Sequence, residues 1–356
     1  MKNVRFSAAV AVVVAVAVAG MLATPVSADP VPQTKDYVGV GSATTQLSMN
    51  AVADGYFDYG FGFFATGYNA TASARIASFD SVNPMTGQRG DLVVLRAGTL
   101  PIFRPYYTTG LGEPPPPLWS KNLLFGAANN TAVDFVRSST ALGGWEASAG
   151  LVAYPFAMEE VAAAVAPGSS YAPTSLSTQQ LVGIYKGIYT NWNQVGGANA
   201  PITPLVPQSG SETRYFFESQ LAATNDGSYV VYGANVIESV KEYDTSVFQT
   251  YPNAVMPFSV GRAGLTPGSV KFTNVGTASD GRAAFDAKHG VYNVVRGSQA
   301  NKPWVASLFG PAGYLCSSSA KDAIASGGLT QLARPGAGVC GQPYVTTVGV
   351  TNFTTS

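Results

Sequence analysis

Short apolar runs alternate with amphipathic stretches along most of the chain. Tyr37–Val40, Leu92–Leu95, Leu151–Phe156, Tyr229–Tyr232 and Tyr292–Val295 are rich in β-branched and aromatic residues and predict strands. Between several of them lie helical patterns. In "LSTQQLVGIYKG", Ser177 is placed to cap and Gln180 follows three residues later, as in a capping box. Leu181, Ile184 and Tyr185 fall on one face, and Gly187 is placed to stop the helix. "TTQLSMNAVADGYF" predicts a second helix ending near Gly55, and "SSAKDAIASGG" a third. Strands alternating with helices predict an α/β architecture.

Other stretches break both periods. Residues 110–120, "GLGEPPPPLWS", read as a loop, because four prolines remove backbone donors and fix φ. Residues 165–175, "VAPGSSYAPTS", read as a connector between lobes. The aromatic, glycine-rich segment 56–68 reads as a strand and loop packed in the core, with a sugar-stacking surface as the alternative.

Composition changes the picture in three ways. The 356 residues, 46% hydrophobic, are enough for about two domains. Lys2 and Arg5, the apolar run Ala8–Gly20 and the small residues Val26-Ser27-Ala28 have the layout of a cleaved secretory signal, 1–28, too short to span a membrane comfortably. No cysteine follows that run, so no lipid anchor is expected and the mature chain would be secreted. Without Lys2 and Arg5, 18 basic residues face 20 acidic ones, with no basic cluster, which disfavours nucleic acid as a partner. In an exported chain Cys316 and Cys340 read as a disulfide whose loop contributes about 3 kcal/mol. Metal binding is the weaker reading, since the chain has one histidine.

Catalytic signals are weak. His289 stands alone and reads as structural. There is no G-x-S-x-G elbow, no paired-histidine metal motif and no phosphate-loop lysine. Glu159 and Glu160 are adjacent, do not share a helical face, and read as solvated. No cofactor is implied and an enzyme is not expected. Binding signals are stronger. "SGSETRYFF" sets Ser211, Thr213 and Arg214 at the start of a helical run, where free N–H groups and the helix dipole favour an anion. "VGVGSATTQ" repeats the pattern with Ser42, Ala43 and Thr44. "DFVRSST" adds Arg137, Ser138 and Ser139, and "FRPYYTTG" adds Thr108 and Thr109. Four donor-rich, carboxylate-poor turns point to a cleft that replaces the water around an oxyanion with N–H and O–H donors.

In order and spacing, "GVGSATTQ", "DFVRSS", "LSTQQLVGIYKGIYTNWNQVGG" and "PQSGSETRYFF" resemble the phosphate-binding proteins of phosphate ABC importers, particularly secreted actinobacterial-type relatives. The resemblance covers nearly all of the mature chain and is weakest over 220–300. It implies a two-lobed periplasmic-binding-protein fold of type 2, each lobe a mixed sheet flanked by helices, with the ligand between them. Residues 29–160 with 262–356 would form one lobe and 161–261 the other. Hinges are expected at "YPFAMEEVAAAV" and "NAVMPFSVGRA". It implies ligand contacts at Ser42, Ala43 and Thr44, near Thr108, and at Ser211 and Thr213. It further implies a monomer, an ABC permease as partner, and no stable membrane insertion after signal cleavage.

The chain departs from the family pattern at three positions. Ser139 stands where an aspartate is common, Pro207 where an arginine is common, and Glu212 where a glycine separates the turn's serine and threonine. Arg137 or Arg214 can restore the positive charge by two-point contact with an oxyanion. Glu212 can repel an anion or accept its proton. The leading expectation is an exported binder of phosphate or a related tetrahedral oxyanion. The alternative is a secreted surface or adhesive protein with a degenerate cleft, and a hydrolase ranks third.

Overall fold

The structure, a computed structural model, describes residues 37–58, 60–80, 90–93, 102–105, 134–208, 211–241, 243–347 and 349–356. Its strands are β1 (Tyr37–Gly41), β2 (Gly55–Asp58), β3 (Phe63–Thr66), β4 (Ile76–Asp80), β5 (Gly90–Val93), β6 (Ile102–Pro105), β7 (Phe135–Ser138), β8 (Leu151–Val165), β9 (Thr203–Pro207), β10 (Ile237–Val240), β11 (Ala254–Ser259), β12 (Lys271–Phe272), β13 (Asp286–Arg296) and β14 (Thr330–Gln331). The helices that matter below are α1 (Ala43–Asp54), α2 (Thr178–Tyr185), α3 (Glu212–Thr224), α4 (Pro303–Phe309) and α5 (Ser318–Ala325).

One mixed sheet runs β10-β9-β11-β8-β13-β7-β1-β4, with β12 and β14 also on β8. β1 lies parallel to both β4 and β7, whereas β8 and β13 pair antiparallel over nearly their whole length. Burial divides this sheet into separate cores. The first collects Val38, Met49, Phe135, Phe156, Val291, Trp304 and Leu308. The second collects Val161, Leu181, Tyr185, Trp192, Phe217 and Phe285, and a third, on the same part of the sheet, collects Ala164, Leu205, Phe258 and Ala263. Each fully buried large apolar side chain among these contributes roughly 1.5–3 kcal/mol. The chain passes from the first core to the others inside β8, between Ala157 and Val161, and returns inside β13, between Phe285 and Val291. Near that passage the β8–β13 ladder slips register between Val291 and Tyr292, opposite Ala157 and Pro155, a bulge that loosens and twists the pair.

Local signals hold where they rest on caps. Ser177 and Gln180 form the reciprocal capping box of α2, each bond 3.1 Å, and Gly187 adopts φ +74° beyond its end. α1 and α5 form where the periodicity places them, and Gly55 ends α1. The disulfide Cys316–Cys340 is present and closes a separation of 24 residues within the first core.

Several expectations are corrected. Residues 229–232 form no strand. Their main chain finds no sheet partner, and Tyr232 instead donates to Glu218 on α3 at 2.6 Å. The segment 56–68 is not core-packed throughout: among the described residues β2 and β3 pair only with each other, with Phe57 45%, Phe61 82%, Phe63 52% and Phe64 58% exposed, while Tyr56 and Tyr68 reach the first core. Residues 165–175 are not a connector between cores, because Val165, Ala172 and Leu176 all pack in the second. Beyond the expected boundary at 261/262, Ala263 and Phe285 pack in the third and second cores. "NAVMPFSVGRA" is accordingly an internal strand of that half, β11 with a helical turn, and β13 carries the return crossing. The prolines of 110–120 lie outside the described residues, as does Thr108.

Candidate functional site

Two strand-to-helix turns and one strand end meet where the cores adjoin. In the first, β1 ends at Gly41, whose φ of +142° favours glycine and where an added Cβ would fall 2.1 Å from the Arg137 carbonyl oxygen. Ser42 then occupies the N-cap position of α1, yet its side chain makes no cap bond. Its hydroxyl instead meets the Ser139 hydroxyl at 2.8 Å. Behind this turn Arg137 is fully buried on β7. Its Nη1 donates to the Ser42 carbonyl at 2.6 Å and the Thr45 hydroxyl at 3.1 Å, and its Nη2 to the Gly41 carbonyl at 3.4 Å. A buried guanidinium needs acceptors, and here main-chain carbonyls of the turn supply them.

The second turn leads from β9 into α3. Ser211 is its N-cap, and its hydroxyl accepts from the Arg214 N–H at 3.1 Å. Glu212 occupies the first helical position, where a negative charge is favoured by the helix dipole. Its side chain is only 1% exposed. One carboxylate oxygen accepts the Ser139 N–H at 2.5 Å; the other lies 3.4 Å from the Ser138 hydroxyl, whose single proton has a nearer acceptor in the Thr140 carbonyl at 2.9 Å. A buried carboxylate from the half holding the second core is therefore seated in the donor turn at the end of β7.

Tyr243 ties the same junction together. Its hydroxyl lies 2.7 Å from the hydroxyls of both Thr44 and Thr213 and 3.0 Å from Glu159 Oε1. A phenol has one proton and two lone pairs. Donation to Glu159 and acceptance from the two threonines saturate it. The residue adopts φ +60°, costly for a bulky side chain at about 1–3 kcal/mol, and such strain collects at functional sites. Phe258 packs against its ring edge and the Arg262 guanidinium lies 5.0 Å from its centroid.

Glu159 and His289 face each other directly across β8 and β13. Glu159 Oε2 lies 2.9 Å from His289 Nε2, and His289 Nδ1 lies 2.8 Å from the Ser139 carbonyl. A carbonyl only accepts, so Nδ1 carries a proton. Phe216 covers the imidazole at a centroid distance of 4.1 Å.

The structure thus brings together Ser42, Thr44, Ser139 and Thr213 of the residues singled out in sequence, with Ala43 opening α1 beside them. Arg137 and Ser211 stand at the same turns, engaged with carbonyls and a helix cap. Arg214 bonds to Glu218 at 2.7 Å, Glu238 at 2.6 Å and the Pro207 carbonyl at 3.1 Å. Burial works against its charge, but those two carboxylates outweigh it and raise its pKa. Tyr243 carried no recognisable sequence signal. From the sequence, Glu159 is expected to be solvated and His289 structural. The solvated reading of Glu159 is overturned: along a strand neighbours alternate faces, so Glu159 points inward while Glu160 points out to Lys288 at 3.4 Å.

No curated protein sequence matches the chain. Solved structures share its fold. One, from Clostridium perfringens, assigned as a phosphate ABC transporter substrate-binding protein and solved with bound phosphate, is 18% identical, with a TM-score of 0.54 over 83% of this chain and 99% of that one. Another, an ABC-type phosphate transport receptor from Vibrio cholerae, is 20% identical, with a TM-score of 0.50 over 83% and 99%. The model of the PBP superfamily domain matches residues 125–304, just over half of the chain and the span that carries both crossings, the β7 turn, α3, Tyr243 and the Glu159–His289 pair. With a type 2 periplasmic-binding-protein fold, this chain belongs to the PBP superfamily.

Proposed function

We propose that the protein is an exported solute-binding protein that captures phosphate or a related tetrahedral oxyanion between two lobes. One lobe comprises the first core, and the other residues 161–287. The bulged β8–β13 pair is the hinge, absorbing the dihedral change of closure. The observation that carries this reading is the seating of the buried Glu212 carboxylate, brought from one half, on the Ser139 N–H of the other, with the hydroxyls of Ser42, Thr44 and Thr213 gathered at the same junction. An exchange of water for such donors is how a small oxyanion is dehydrated and held. In this reading residues 1–28 are the cleaved signal, the mature chain is a secreted monomer, delivery is to an ABC permease, and no covalent chemistry occurs. The names of the structural relatives, which carry phosphate, support it.

Calorimetric titration of refolded, ligand-stripped protein with phosphate, sulfate and arsenate tests the reading. Heat and a thermal shift with at least one are expected, and silence with all three rejects it. A secreted surface protein with a degenerate cleft is the second reading, favoured by the exposed phenylalanines of the β2–β3 hairpin. It predicts partner capture that survives Thr44→Ala and Ser139→Ala.

A further inference from the structure

We propose that Glu212 is a tethered anion that fills the oxyanion seat and holds the lobes together until a solute displaces it, so that this side chain sets which solutes enter. The proposal rests on the oxyanion reading above.

Three observations carry it. First, burial of an ionised carboxylate is costly unless hydrogen bonds replace its water, and the groups that Glu212 meets lie in the other half of the molecule. Its partners, Ser138 and Ser139, are 74 and 73 residues away. Second, the turn that receives it is not built as an ordinary helix cap. Ser42 gives up the cap bond that Ser211 makes in the equivalent turn and turns its hydroxyl to Ser139. Third, other polar contacts cross the same junction: Tyr243 joins Thr44 to Thr213, and His289, held by Glu159, reaches the Ser139 carbonyl. Glu212 is the member of this cluster that brings a buried carboxylate from one half onto a main-chain N–H of the other. It stands where a bound anion would otherwise bridge the two halves.

A tethered group acts at high effective concentration, so an incoming anion must out-compete it at the Ser139 N–H. A single-point anion gains too little, whereas a tetrahedral oxyanion that takes the Ser139 N–H has further oxygens to offer the Ser42 and Ser139 hydroxyls, which are paired with each other in this turn. Removing the tether exposes the seat. Free carboxylate should then substitute for it.

The experiment uses the mature full-length chain with Glu212→Gln and Glu212→Ala variants. Affinity is read by calorimetry, and compactness by the radius of gyration in solution scattering, without anion, with phosphate and with acetate. Wild type is expected to be compact throughout. Glu212→Ala is expected to expand without anion, to re-compact with either phosphate or acetate, and to bind phosphate about tenfold or more tightly than wild type, the range set by hydrogen bonds to a charged group. Glu212→Gln keeps the shape without the charge, and should gain affinity with a smaller expansion. Both variants compact without anion, with unchanged affinity and no response to acetate, would overturn the proposal. If Glu212→Ala fails to fold, the Glu212→Gln titration decides alone. Expansion reversed by acetate, with no binding of phosphate, sulfate or arsenate to any form, would keep the tether and sink the oxyanion reading instead.

Discussion

The turns "GSATT" and "GSETR" share a local design, a strand followed by serine at the N-cap of a helix, yet they use their serines differently. Ser211 caps α3 through the Arg214 N–H. Ser42 leaves α1 without a side-chain cap and reaches Ser139, 97 residues away. Their arginines also differ. Arg137 is fully buried and grips the carbonyls of the first turn from β7, whereas Arg214 sits in its own helix and pairs with Glu218 and Glu238 near the surface. A hydroxyl at a helix start takes the best acceptor or donor within reach, and packing decides which that is. Similar turns thus divide the labour: one is a scaffold held from behind, the other presents an anion.

The comparison breaks most sharply at the arginines. Arg137→Met should cost about 3–5 kcal/mol, because it strips a buried charged donor from two carbonyls and a hydroxyl. Arg214→Met should cost under about 1 kcal/mol, since water and salt screen its partly exposed pairs. Urea unfolding of the two variants reads the contrast, and equal losses would show that Arg137 is not the buttress of the first turn. Next in size is Tyr243→Phe. Loss of the phenol proton and lone pairs leaves Thr44, Thr213 and Glu159 each short of a partner, an expected cost of about 2 kcal/mol in the same assay. No loss would mean the three groups repair one another without it. The smallest effect concerns the serines. Ser211→Ala should cost about 1 kcal/mol as a lost cap, and Ser42→Ala should leave the helical signal of α1 unchanged while weakening anion binding. Loss of helix in Ser42→Ala, without an effect on binding, would make the two turns equivalent after all.

Much of this was legible before folding. The capping box of α2, the glycines that stop helices and the paired cysteines were all readable within a few residues. The donor-rich turns were recognisable too, because each is a short-range arrangement. Glu159 was misread for want of one fact, the length of β8: extended to Val165, the run "AMEEVAAAV" places Glu159 and Glu160 on opposite faces. The exposed phenylalanines of the β2–β3 hairpin were misread because hydrophobicity does not reveal whether a hairpin is covered. Tyr243 had no signal to find. Its φ of +60° and its three hydrogen-bond partners, from 30 to 199 residues away, exist only once the halves meet.

By itself, then, the order of residues determined the α/β elements, their caps and turns, and the stock of hydroxyl and N–H donors. Each depends on groups within about one helical turn or strand pair. Tertiary structure decided which of those donors face one another, that Arg137 buttresses while Arg214 pairs at the surface, and that Glu212 rather than a hydroxyl fills the seat at Ser139. Hydrogen bonds act over about 3 Å, and only the folded chain sets which groups from distant segments come within that range.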